Sequence, residues 1–88
     1  MNERPYELLT TLESKYLEFE KHHEPEKKTI FVFVKAKSSG KNLAEIKWYR
    51  QWRQYTFFPM PDTVWNKDCL TDIQKFIEAL MAKRKGMK

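Results

Sequence analysis

Apolar side chains recur along this chain in two rhythms, and the change from one to the other marks out its elements. From Thr29 to Lys37 the period is two. Ile30, Val32, Val34 and Ala36 alternate with Phe31, Phe33, Lys35 and Lys37, as in a strand whose successive side chains leave on opposite faces. Phe31 and Phe33 make both faces apolar at its start, which suits a central strand. Leu43 to Trp52 keeps the same period, with Ala44, Ile46, Trp48 and Arg50 on one face and Leu43, Glu45, Lys47, Tyr49 and Gln51 on the other. Ser38 to Asn42 forms the hairpin loop between them, with Gly40 free to take positive φ. A reversal at Arg50 to Arg53, which no glycine or proline marks, leads into a third strand, Gln54 to Phe58; the alternative is one long bent strand carrying a bulge. Pro59-Met60-Pro61 then ends the sheet, since proline cannot donate to a ladder.

Both flanks carry a helical period instead. Leu9, Leu12, Tyr16 and Phe19 form one stripe and predict a helix over 5–22, with Pro5 in the first turn. Pro25 stops it near His22, and residues 23–28 read as a charged linker. At the other end Asn66 is a helix cap, with Trp65 before it set to staple onto Leu70. Leu70, Ile73, Ile77, Leu80 and Met81 make the apolar face, widened by Phe76. Asp68 and Asp72 lie early and Lys83, Arg84 and Lys85 late, as the helix dipole prefers, and Gly86 closes the helix. The expected fold is one α+β domain over residues 1–88. It is a three-stranded antiparallel meander flanked by an N-terminal and a C-terminal helix, in the order α-β-β-β-α. Two such helices cover one face of the sheet and leave the reverse face open.

Composition sharpens this picture. The 88 residues are 41% hydrophobic, 15% aromatic and 33% charged, a globular balance rich in large rings for so short a chain. The net charge of +5 is unevenly spread: residues 1–26 sum to −4 and the remainder to +9. A basic body suits a polyanionic partner. The single cysteine, Cys69, excludes an intramolecular disulfide and fits a reducing compartment. There is no apolar run long enough to span a bilayer, and a cytoplasmic protein is expected.

Catalytic chemistry finds little support. His22 and His23 are adjacent at a predicted helix end and point apart, whereas zinc needs three or four converging ligands. Cys69 lacks an evident base and orienting group and reads as a core residue. Asp68 and Asp72 serve the helix dipole. With only Gly40 and Gly86 the chain has no phosphate-cradling loop. No enzyme, cofactor, metal or small-molecule substrate is expected.

The informative stretch is Trp48 to Pro59, where rings interleave with arginine and glutamine. Single-stranded nucleic acid is commonly held by cations that track the backbone and rings that stack bases. Trp48, Tyr49, Trp52 and Tyr55 are candidate stacking platforms. Lys35, Lys37, Lys47, Arg50 and Arg53 are candidate phosphate contacts. The expected function is nucleic-acid binding by a basic, aromatic sheet face. The alternative is a protein-interaction or self-associating module, since interface hot spots use the same residue types.

Two resemblances add to this. The α-β-β-β-α order is similar to that of the double-stranded-RNA-binding domain, though that family's lysine-rich run at the last helix is replaced here by Asn66-Lys67-Asp68-Cys69-Leu70. Over about residues 30–82 the chain resembles small phage- and prophage-encoded proteins of unassigned function. The likeness is carried by Ile46, Trp48, Tyr49, Trp52, Arg53, Gln54, Tyr55, Phe57, Phe58 and Pro59, then by Asp68, Cys69, Leu70, Asp72, Ile73 and Phe76. It implies a phage origin and no particular activity; a phage-encoded modulator of a host protein is a special case of the interaction alternative.

Overall fold

The computed structural model describes residues 7–23 and 28–86. Five strands run in chain order across one antiparallel sheet: β1 (Glu7–Glu13), β2 (Leu17–His23), β3 (Ile30–Ala36), β4 (Asn42–Tyr49) and β5 (Gln54–Pro59). One helix, α1 (Lys67–Gly86), follows. The α+β class holds, but the α-β-β-β-α arrangement does not: residues 7–23 form a hairpin where a helix was expected. The topology therefore also departs from that of the double-stranded-RNA-binding domain. Pro5 and residues 24–27 of the expected linker lie outside the described residues.

The reason for the difference lies at Ser14. Its N–H donates to the Leu17 carbonyl at 2.8 Å, and its Oγ accepts from the Leu17 amide at 3.2 Å. This tight turn carries neither glycine nor proline, and it reverses the chain in the middle of what resembles a helical stripe. Beyond it Leu17 and Phe19 follow a period of two and pair with Ala36 and Val34 of β3. Both are 2% exposed, so tertiary burial overrides a local pattern that also fits a helix.

The remaining elements follow the sequence closely. Gly40 takes φ +74° in the β3–β4 loop, and its amide donates to the Ala36 carbonyl at 2.7 Å. The β4–β5 reversal falls at residues 50–53, where the Tyr49 carbonyl accepts from the amides of Trp52 (3.2 Å) and Arg53 (2.8 Å). Asn66 caps α1, its Oδ1 accepting from the Cys69 amide at 2.8 Å. Trp65 packs against Phe57 with ring centroids 5.0 Å apart. Leu70, the expected staple partner and face residue, is 45% exposed, whereas Cys69, Ile73 and Leu80 are buried.

The core lies between α1 and one face of the sheet. Leu17, Phe19, Val32, Val34, Ala44, Ile46 and Tyr55 supply the sheet side. Phe19 stacks on Phe76 of α1 at 4.4 Å. Val32 pairs with Ile46 and Val34 with Ala44, and all four are completely buried. Truncating a buried isoleucine removes methylenes and leaves a cavity. Ile46→Ala is expected to cost about 2–5 kcal/mol in urea unfolding. Val64→Ala, at a residue 95% exposed, is expected to stay within about 0.5 kcal/mol.

Candidate nucleic-acid interface

Strand alternation decides which candidate residues share a surface. Trp48 and Tyr55, paired across β4 and β5, turn toward α1. Tyr55 is 6% exposed, and its hydroxyl accepts the Ile30 amide at 3.3 Å. Trp48 meets the Tyr55 ring edge-on at 5.3 Å, and the Arg84 guanidinium lies 4.1 Å from its ring centre. These two rings are parts of the core side and not an open platform. Tyr49 turns the other way, with Phe58 at 6.0 Å.

The reverse face of the sheet is less open and less basic than the sequence suggests. His22 is 2% exposed there, stacked on Phe31 at 5.4 Å and edge-on to Phe33 at 5.0 Å. Its Nε2 lies 3.3 Å from Glu20 Oε1, while Glu20 Oε2 accepts from Lys35 Nζ at 2.9 Å. Lys47 lies 3.7 Å from Glu45 and 4.8 Å from the centre of the Phe58 ring. Lys35 and Lys47 thus already have carboxylate partners, and Glu18 shares the same side of the strands. Lys37 stands at the far end, near the β1–β2 turn, with Nζ 3.4 Å from the Ser14 carbonyl.

The remaining candidates gather at the β4–β5 tip. Arg50, Trp52 and Arg53 are all exposed, Trp52 by 62%. The Trp52 ring stands edge-on to Tyr49 at 4.8 Å, so it is propped and not free-swinging. Arg53 takes φ +54°, a left-handed conformation more readily adopted by glycine. The end of α1 lies beside this tip, since Met81 Sδ accepts from the Tyr55 amide at 3.4 Å and Arg84 covers Trp48. Sequence reasoning missed Arg84 because nothing local links a late helix residue to a hairpin tip.

No three His, Cys, Asp or Glu side chains come together as a metal cluster among the described residues. His22 and His23, neighbours on a strand, leave on opposite faces. Cys69 is buried in the first turn of α1. No helix among the described residues is long and apolar enough to cross a membrane.

Over 72 residues, covering 82% of this chain and 92% of its relative, the chain is 38% identical to an uncharacterized 9.3 kDa protein of Acholeplasma phage L2. The chain belongs to that phage protein family. Neither a protein-family model nor a solved structure matches it. The relative's description names no ligand, so function is argued from the site itself.

The Lys35 hydrogen bond holds Glu20 below the ordinary glutamate range, with burial opposing it and His22 adding to it. A depressed folded value means stability that is present above the unfolded value and lost as pH falls through the folded one. Glu20→Gln is expected to flatten the acid limb of the stability profile. The difference from wild type, at most about 1 kcal/mol near neutrality, should shrink as pH drops below the glutamate range. Urea titrations at several pH values read this, and parallel acid limbs in the two proteins would contradict it.

Proposed function

We propose that this is a non-enzymatic binding protein that holds single-stranded nucleic acid at the β4–β5 tip. The observation that carries the reading is Trp52, 62% exposed at the hairpin end between two exposed arginines. An indole in water beside guanidinium groups offers a base one stacking surface and its phosphates two cations. Tyr49 fixes the indole from behind, which lowers the ordering cost of binding. Arg53 supports the same reading, because its positive φ gives up stability that a glycine would retain. Strained residues of this kind concentrate where a side chain is wanted for another purpose. The functional surface is then the tip with Tyr49, Arg50, Trp52 and Arg53, and Trp48 and Tyr55 act as its buttress. A cytoplasmic setting accords with the lone free thiol.

A second reading, a protein-interaction module, draws on the opposite end of the molecule. A groove of about 450 Å³ is lined there by Tyr16, Leu17, Leu43, Val64 and Trp65, with Lys15 and Lys37 among its other walls. Val64 and Tyr16 are 95% and 45% exposed, and exposed apolar surface of this kind marks contact sites. Light scattering separates the readings: a stable dimer indifferent to oligonucleotide selects the second.

The direct test is fluorescence anisotropy with a labelled mixed-sequence 20-mer at low salt, DNA and RNA in parallel. Trp52→Ala is expected to weaken binding roughly 5- to 150-fold, the equivalent of about 1–3 kcal/mol for one stacked base. Arg53→Gly is expected to raise unfolding stability by about 1 kcal/mol while also weakening binding. No binding by the wild type at low salt, or unchanged affinity in both variants, overturns the proposal.

A further inference from the structure

The binding surface at the tip has a second half that the hairpin does not supply. Three more cations lie along the side of the molecule facing α1. The Arg84 guanidinium lies over the Trp48 ring, 4.1 Å from its centre. Lys21, on the core-facing side of β2, holds its ammonium 5.5 Å from the centre of the Phe76 ring. Lys83 lies two turns beyond Phe76 on the same flank of α1 and is exposed. Phe19 stacked on Phe76 fixes this flank against β2, so the helix brings its last cations alongside a strand lysine. None of these three has a carboxylate within ion-pair distance among the described contacts, in contrast to Lys35 and Lys47 on the reverse face.

Like charges brought together in this way repel. Partial burial, which disfavours the charged ammonium, and then the nearby Lys83 ammonium hold Lys21 below the ordinary lysine value. A row of phosphates laid across the pair would relieve that repulsion, and counter-ion release from such contacts drives polyanion binding. The reverse face offers no such excess of cations, because Glu18, Glu20 and Glu45 stand there beside Lys35, Lys37 and Lys47.

Resting on the single-strand reading above, we infer that the nucleic acid runs from the Trp52 tip over Trp48 and Arg84 toward Lys83 and Lys21, along the helix side of the molecule, and not across the reverse sheet face. Lys21, Lys83 and Arg84 grip phosphates there. Arg84 sits over its ring and is exposed, so its donors remain within reach of a phosphate while the indole holds the guanidinium in place. Since α1 meets the hairpin through Met81 and Arg84, the two halves form one continuous basic border.

The salt dependence of binding to the same single-stranded 20-mer separates this path from the alternative. Each lost phosphate contact lowers the slope of log K against log salt by about 0.7 for single strands. Lys21→Gln with Lys83→Gln is expected to lower it by about 1.4, and Lys35→Gln with Lys47→Gln to leave it unchanged. Lys83→Gln alone, at an exposed position, should give half the drop and guards against misfolding of the double variant, which unfolding curves report. A slope that falls with Lys35 and Lys47 but not with Lys21 and Lys83 overturns the path while leaving the single-strand reading intact. Absence of wild-type binding overturns both.

Discussion

The alternation that sends Val32, Val34, Ala44 and Ile46 to one side of the sheet, against a single helix, sets the terms for everything else in this molecule. One helix of twenty residues can seal only one face of a five-stranded sheet. Among the described residues, the other face packs its own side chains against one another. It does so with rings packed edge to face and with Glu20 placed between His22 and Lys35. Lys35 and Lys47, two of the lysines that make the strands look basic, are matched there by Glu20 and Glu45. At the hairpin tip and the end of α1, Arg50, Arg53, Lys83 and Arg84 have no such carboxylate among the described ion pairs.

The same helix stiffens the tip it borders. Tyr55 is an edge-strand residue whose amide faces away from β4, and the Met81 sulfur covers it. Its hydroxyl reaches the start of β3, so one side chain ties β5, β3 and the helix side together. Trp48 is held between Tyr55 and Arg84. A four-residue reversal resting on these contacts presents Trp52 on a firm base. On the proposed function, that firmness means that little ordering entropy remains to be lost when a base stacks.

Much of this was legible in the chain. A strict period of two made β3 and β4 readable, Pro59 marked the end of β5, and Asn66 identified the start of α1 to the residue. The tip at residues 50–53 was also placed correctly, although it has no glycine. The N-terminal hairpin was not readable, because Leu9, Leu12, Tyr16 and Phe19 fit a helix and the Ser14 turn gives no breaker signal. Leu17 and Phe19 already carried the competing period, but only the presence of β3 beside them decides between the two. The candidate site was half legible. Adjacent residues of a strand face opposite ways, so Trp48 and Tyr49 could never share one platform, and that parity was available from the sequence. The approach of Arg84 to Trp48 was not, since it depends on the path of the helix across the sheet.

On the proposed function, geometry also bears on which form of nucleic acid would suit this surface. In a duplex the bases are stacked on one another and present only their edges in the grooves. A lone indole at a hairpin tip offers a stacking face and not a set of donors and acceptors aimed at base edges. What Trp52 offers is a flat surface, and only an unstacked base can meet it. The cations nearby are arginines on the turn and a guanidinium laid over a ring, groups that hold phosphate at a fixed angle and not as loose point charges. A flexible strand can bend over such a narrow border, with one base on the indole and its neighbouring phosphates falling to either side. A stiff duplex, straight over far more than the width of this molecule, would touch the tip at one place and leave the helix-side lysines out of reach.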